Sequence, residues 1–223
     1  MSELLKMTRD PSPYEQLRGS ILANEELAKV ATYAKQTDDE TSPWHHFAAA
    51  YQVATTDTAA AESRLRQILA LPNLESRTFL QTWHCLRTLG VSPDALLGRK
   101  VCGIVVEVGL DVGLDALAAY EDHSARYFNH SGATVIWDVN TEEMNACIDP
   151  YLEVAKAVGE NTAPFDQQHP AVPGNGNMLI NILTPNGIHI GMGSMNALQR
   201  DPMGSAVIQT ALTLMQALMS ATK

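Results

Sequence analysis

MLINILTPNGIHIGM, residues 178–192, decides the fold. Two runs rich in Ile and Leu flank Thr184-Pro185-Asn186-Gly187. Proline second, asparagine third and glycine fourth is the order preferred by a type I turn with a left-handed exit. Strands joined by so short a turn must be antiparallel neighbours. Upstream, Val101–Val108 (VCGIVVEV) is a β-branched run that reads as a buried strand. Leu114–Tyr120, Ala125–His130 and Ala133–Val139 follow with period-two alternation, and the links Glu121–Ser124 and Ser131–Gly132 suit tight hairpins. The regular strand–helix alternation of a parallel sheet is absent, so an antiparallel meander is expected.

Two helices belong with these strands. Thr141 to about Val158 carries Glu142 and Glu143 in its first turn, where the helix dipole favours acids, and Pro150 is expected to kink or split it. Asp201 should cap the final helix, with Pro202 in its first position. The polar segment Asn161–Gly176 between them reads as a loop rich in proline and glycine.

The first ninety-odd residues read as helices. Pro13 to about Lys35 has helical spacing, with Gly19 as a weak point. Trp44–Ala54 is a short helix, and Asp57 caps one running to Leu71. Asn73 caps another running to Leu89 with the stripe Leu80, Trp83 and Leu86, stopped by Gly90. The order of elements gives the α+β class: a helical region, 1–97, then 98–223, a mainly antiparallel sheet packed with two helices. Val91–Lys100 marks the boundary; the helical region is either a separate domain or a layer on the sheet.

Charge is distributed unevenly. The net charge is −10, and no local cluster of Lys or Arg offers a phosphate-binding patch, so a nucleic-acid partner is not expected. An anionic membrane surface is disfavoured for the same reason. From Gln167 to Thr222 the only charged residues are Arg200 and Asp201. Pro202–Thr222 is long enough to span a bilayer, but Ser205, Gln209, Thr210, Thr213, Gln216 and Ser220 leave it a polar face, so a membrane span is not expected. The charge-poor segment must then be enclosed by the helical half, a second copy or a partner. On its last helix, Val207, Ile208, Ala211, Leu212, Met215 and Met219 are the expected interface.

The N-terminal Met1–Asp10 does not read as a secretory signal, and three widely spaced cysteines form neither a disulfide framework nor a zinc motif. A reducing cytoplasmic compartment is the simplest expectation. No metal and no cofactor is expected: Trp44-His45-His46 and Trp83-His84-Cys85 sit on different helices, and adjacent helical histidines point about 100° apart. The glycines around His189 match neither a phosphate loop nor a dinucleotide fingerprint. Glu107 interrupts an apolar strand beside Val105 and is expected to face solvent.

Two functional readings follow. The first is a non-catalytic cytoplasmic protein that pairs with itself as a homodimer, or binds another protein, through the neutral terminal hairpin and helix. The second is a small-molecule binder or enzyme with a pocket between the helical region and the sheet. That pocket would use Arg126, His130 and His189 with Asn129 nearby, and Asn161–Gly176 as its lid.

Overall fold

The structure, a computed structural model, describes residues 12–39, 41–167 and 169–221. The N-terminal segment read against a secretory signal lies outside the described residues. Helix α1, Pro13–Ile21, starts at a capping box. The Ser12 hydroxyl accepts from the Glu15 N–H at 3.2 Å, and the Glu15 carboxylate accepts from the Ser12 N–H at 2.7 Å. The single helix expected to Lys35 does not form. The chain turns at Ala23 (φ 51°), resumes as α2, Leu27–Ala31, and ends in a 3-10 turn, Thr32–Gln36. The side-chain amide of Gln81 explains the break. It donates to the Glu25 carbonyl at 2.8 Å and accepts the Glu25 N–H at 3.1 Å, so a distant helix supplies the bonds that a continuous helix would have made locally.

Helices α3, Pro43–Val53, and α4, Thr58–Leu69, follow; the Asp57 carboxylate caps α4 as expected. Helix α5, Ser76–Thr88, begins two residues later than its Asn73 cap predicts, because Asn73 takes a left-handed turn conformation (φ 53°). Its first N–H is satisfied from far away: Ser76 N–H donates to the Asp122 carboxylate at 2.8 Å, and Asp122 N–H donates back to the Ser76 hydroxyl at 3.1 Å. Gly90 (φ 83°) follows the end of α5, as expected of a left-handed helix stop. A single turn, α6, Ala95–Gly98, lies inside the boundary segment.

The sheet contains β1 (Gly103–Leu110), β2 (Gly113–Tyr120), β3 (Ala125–Phe128), β4 (Thr134–Trp137), β5 (Asn177–Thr184) and β6 (Gly187–Ser194). Their order is β4-β3-β2-β1-β5-β6 and every ladder is antiparallel. The terminal hairpin pairs Thr184 with Gly187, leaving Pro185 and Asn186 as the loop. Helix α7, Glu142–Glu160, carries the chain from the β4 edge back to β5. It stays one helix across Pro150: losing one N–H bond is outweighed by Ile148, Tyr151, Leu152 and Ala155, which bury together on both sides of the proline. A short α8, Met195–Arg200, precedes α9, Pro202–Ala221, whose Gly204 N–H donates to the Asp201 carboxylate at 2.7 Å.

Three layers result, and the register fixes which residue faces which. Val106, Leu117, Tyr127 and Ile180 form one cross-strand row; with Ile104 and Ile182 they pack on α7 and α9. The adjacent row, Val105, Ala118, Arg126 and Asn181, faces the other way, where Tyr14, Ile21, Leu22 and Leu80 cover the sheet. A further cluster of Val30, Phe47, Leu65, Ile68, Trp83 and Leu86 holds the helical region together. Coverage on both faces explains why β1 reads as a continuous apolar run. Among the described residues no helix is long and apolar enough to cross a membrane.

Candidate functional site

The four side chains singled out from the sequence do not meet. Arg126 lies on the face covered by the N-terminal helices, where its guanidinium donates to the Ala125 and Trp137 carbonyls at 2.8 and 2.9 Å and pairs with Asp138. It stitches β3 to the end of β4. Asn129 is used up locally: its Oδ1 accepts from Ser131 N–H, Ser131 hydroxyl and Ala133 N–H, forming the β3–β4 turn. His130, just past the strand, contacts Asp115 through its N–H (2.7 Å) and Nδ1 (3.1 Å). That puts it on the opposite face from Arg126, because alternation lapses where β3 ends at Phe128. His189 pairs with Ile182 on the α7–α9 face and is 5% exposed, with Nδ1 2.8 Å from the Thr162 hydroxyl; burial lowers its pKa. Arg126 thus lies on one face and His130 and His189 on the other, the two histidines separated by three strands of the sheet, so the three do not converge on one pocket.

Glu107 overturns its expectation more instructively. Alternation does place it with Val105, but α1 covers that face, and Glu107 is 0% exposed. A lone carboxylate there would be prohibitively desolvated. Arg18 resolves the problem with a fork: Nε and Nη2 donate to the two carboxylate oxygens at 2.6 and 2.9 Å. Asn181 Nδ2 donates to the same carboxylate at 3.1 Å and to the Val105 carbonyl. That orientation leaves Asn181 Oδ1 facing His169 Nε2 at 2.8 Å, so His169 must carry a proton on Nε2. Arg18 Nη1 also donates to the Pro170 carbonyl at 2.8 Å. The Tyr14 hydroxyl is buried beside Glu107 without a well-formed hydrogen bond; burial and the neighbouring carboxylate both raise its pKa. The network joins α1, β1, β5 and the 161–176 loop, and it pins that loop to the sheet.

Beside this latch lies a cavity of about 360 Å³ between α5, the turn after α1, the β5–β6 hairpin and the loop. Its charged group is Arg87, which donates to the Pro185 carbonyl and lies 3.5 Å from His84 Nδ1. An arginine can only donate, so His84 accepts at Nδ1 and holds its proton on Nε2. Burial first, and the Arg87 charge second, push His84 down to about 4. Leu80, Phe165, Leu183 and Ile188 supply apolar walls, and His169 connects the cavity to the Glu107 latch. Nothing in the sequence marked Arg87. The available signal was a lone arginine near the end of an otherwise apolar helical stripe.

On the other face an apolar groove of about 310 Å³ runs between α9 and the part of the sheet that α7 leaves open. Val106, Val108, Leu117 and Met178 form its floor, and Ile208, Leu212 and Met215 its α9 wall. Leu212 and Met219 are each 48% exposed. Val207, expected at the interface, instead turns fully into the protein's own core, because the apolar arc of α9 is wider than the groove, while Ala211 lies at the base of the groove wall.

Thiol chemistry has little support here: burial raises Cys85 to about 11 and Cys102 to about 12, which keeps both as thiols. Cys85 points into the helical cluster while His84 lines the cavity, so the adjacent pair does not converge. Among the described residues no three His, Cys, Asp or Glu side chains cluster as a metal would require. Comparison of the chain with protein-family models, with curated proteins and with solved structures gives no match.

Proposed function

We propose that this protein is a non-catalytic interaction module that pairs with a second copy of itself through the α9–sheet groove. The observation that carries the reading is the groove, whose sheet floor is buried but whose α9 rim is open, with Leu212 48% exposed along it. Electrostatics selects the occupant. Two chains of net charge −10 repel one another through most faces, whereas 167–222 contributes only Arg200 and Asp201. A two-fold contact sets each copy's α9 ridge against the other's groove, where the one acid of the lining, Asp115, already accepts from the Tyr127 hydroxyl and the His130 N–H. The neutral surface continues onto β6, the outer strand of the sheet, which has no charged side chain to discourage pairing.

Sedimentation velocity is the test. The expected species is twice the 24.2 kDa chain. Leu212→Asp should convert it to a folded monomer, with the far-ultraviolet circular dichroism unchanged. A wild-type protein that stays monomeric at the highest clear concentration would sink the proposal.

A further inference from the structure

We propose that the cavity between α5 and the β5–β6 hairpin is a binding site for a small organic carboxylate, with the anionic head on Arg87 and an apolar body against Leu80, Phe165 and Ile188. This inference does not depend on self-association, which uses the opposite face of the sheet.

The argument begins with the arginines withdrawn from solvent. Arg18 pairs with Glu107, Arg77 with Glu75 and Arg126 with Asp138. Arg87 alone of these has no carboxylate within 4 Å among the described residues; its partners are a carbonyl and an imidazole. Burial lowers its pKa, which is the mark of a desolvated cation without a counter-charge. Two engaged N–H groups leave three of the five guanidinium donors for a ligand. No acidic side chain lines the cavity, so an incoming anion meets attraction from Arg87 and no repulsion from the walls.

The chemical class follows from the count of charges. His84 is held neutral by burial and by Arg87, and both ring nitrogens of His169 are turned to Pro170 and Asn181, so Arg87 is the cation with donors left for a ligand. A singly charged carboxylate matches it and can engage the guanidinium in a two-pronged contact, whereas a phosphate dianion would be left half-neutralised. His84 adds an Nε2–H donor, and Asn186 offers a side-chain amide that makes no hydrogen bond among the described residues. Leu80, Phe165, Leu183 and Ile188 form the apolar part of a wall that also carries neutral polar groups such as Thr88, Gln167 and Thr184, and about 360 Å³ falls in the range of small-molecule sites. The site is also preformed. Phe165 N–H donates to the Ile188 carbonyl at 2.8 Å, and the Arg18–Glu107–Asn181–His169 chain fixes the loop that roofs it.

The test is titration of the full chain with sodium hexanoate, followed by ¹H–¹⁵N correlation spectra, with 1-hexanol and inorganic phosphate as comparison probes. Saturable shifts centred on Phe165, Ile188 and the Arg87 Nε–H are expected, with hexanol and phosphate binding at least tenfold more weakly. Arg87→Gln should weaken hexanoate about tenfold. Because Arg87 also anchors the hairpin, Asn186→Asp is the second variant. It introduces a carboxylate at an exposed turn position lining the same cavity, leaves the fold intact and should weaken hexanoate several-fold. No saturable shift, equal binding of hexanol, tighter binding of phosphate, shifts confined to the α9 groove, or unchanged affinity in Asn186→Asp would each overturn the proposal.

Discussion

The two faces of the sheet are built by different physics. Toward α1 and α5, β1 presents Glu107, and the layers are fastened by a forked ion pair, an Asn–His relay and the Tyr120 hydroxyl, which donates to the Ile21 carbonyl at 2.6 Å. Toward α7 and α9, the contact is hydrocarbon: Ile104, Val106, Ile180 and Ile182 against Ile148, Val207, Leu214 and Leu218. Directional polar bonds accept one arrangement of partners, so the first face dictates where the helical region and the 161–176 loop sit. Apolar packing stabilises without such direction and can extend to a further surface. The fixed cavity accordingly lies on the first face and the open groove on the second.

Removing the charge from the polar face should have the largest effect. Glu107→Leu leaves the Arg18 guanidinium, 17% exposed, facing apolar groups, and should lower stability by about 4 kcal/mol in urea unfolding. Adding Arg18→Met should restore most of the loss, since replacing a whole buried pair is close to neutral. If the double variant is as unstable as the single, the polar face is not held by its ion pair and the contrast between the faces fails.

Leu214→Ala probes the apolar face, where it removes a fully buried side chain and should cost about 3 kcal/mol by the same measurement.

His84 gives a smaller, pH-dependent effect. Its folded pKa, about 4, lies below the unfolded value of 6.5, so the unfolded chain binds the proton more readily. This group therefore takes nothing from stability above pH 6.5, and an increasing penalty develops as the pH falls from 6.5 toward 4. Between pH 7.5 and 4.5, wild type should lose about 2 kcal/mol more than His84→Gln, the figure being discounted for partial exposure. Equal losses would mean that the cavity wall is wetter than its packing implies.

Leu212→Ser should have the smallest effect on folding, within about 0.5 kcal/mol, because Leu212 is on the rim of the groove. It should nevertheless weaken self-association in sedimentation. A large folding loss from this substitution would make the groove ordinary core.

Much of this architecture was legible residue by residue. The hairpin around Pro185-Asn186, the meander, the Asp57 and Asp201 caps and the Gly90 stop are short-range features, decided by neighbours within a few positions. The misreadings have a common cause. Helix α1 ends early because Gln81 takes the Glu25 backbone, and α5 starts late because Asp122 supplies its cap. Asp122 itself shows the exchange: burial would raise its pKa, but the bonds from Ser76 and Ser124 outweigh that and hold it below the usual carboxylate value. The candidate sites were hidden in the same way. Arg87 and His169 are 82 positions apart in the sequence, and neither belongs to a motif.

By itself the sequence determined the α+β class, the antiparallel strands, and the fact that Glu107 shares a face with Val105, because alternation and turn chemistry act over a few residues. What covers each face, it left undecided. Only the tertiary structure brought Arg18 across 89 positions onto Glu107, turning an expected solvent-facing acid into a buried latch, and left Arg87 beside a cavity without a counter-charge. The physical reason is that burial, and with it the energy of a charge, belongs to the packed layers and not to the strand that carries the residue.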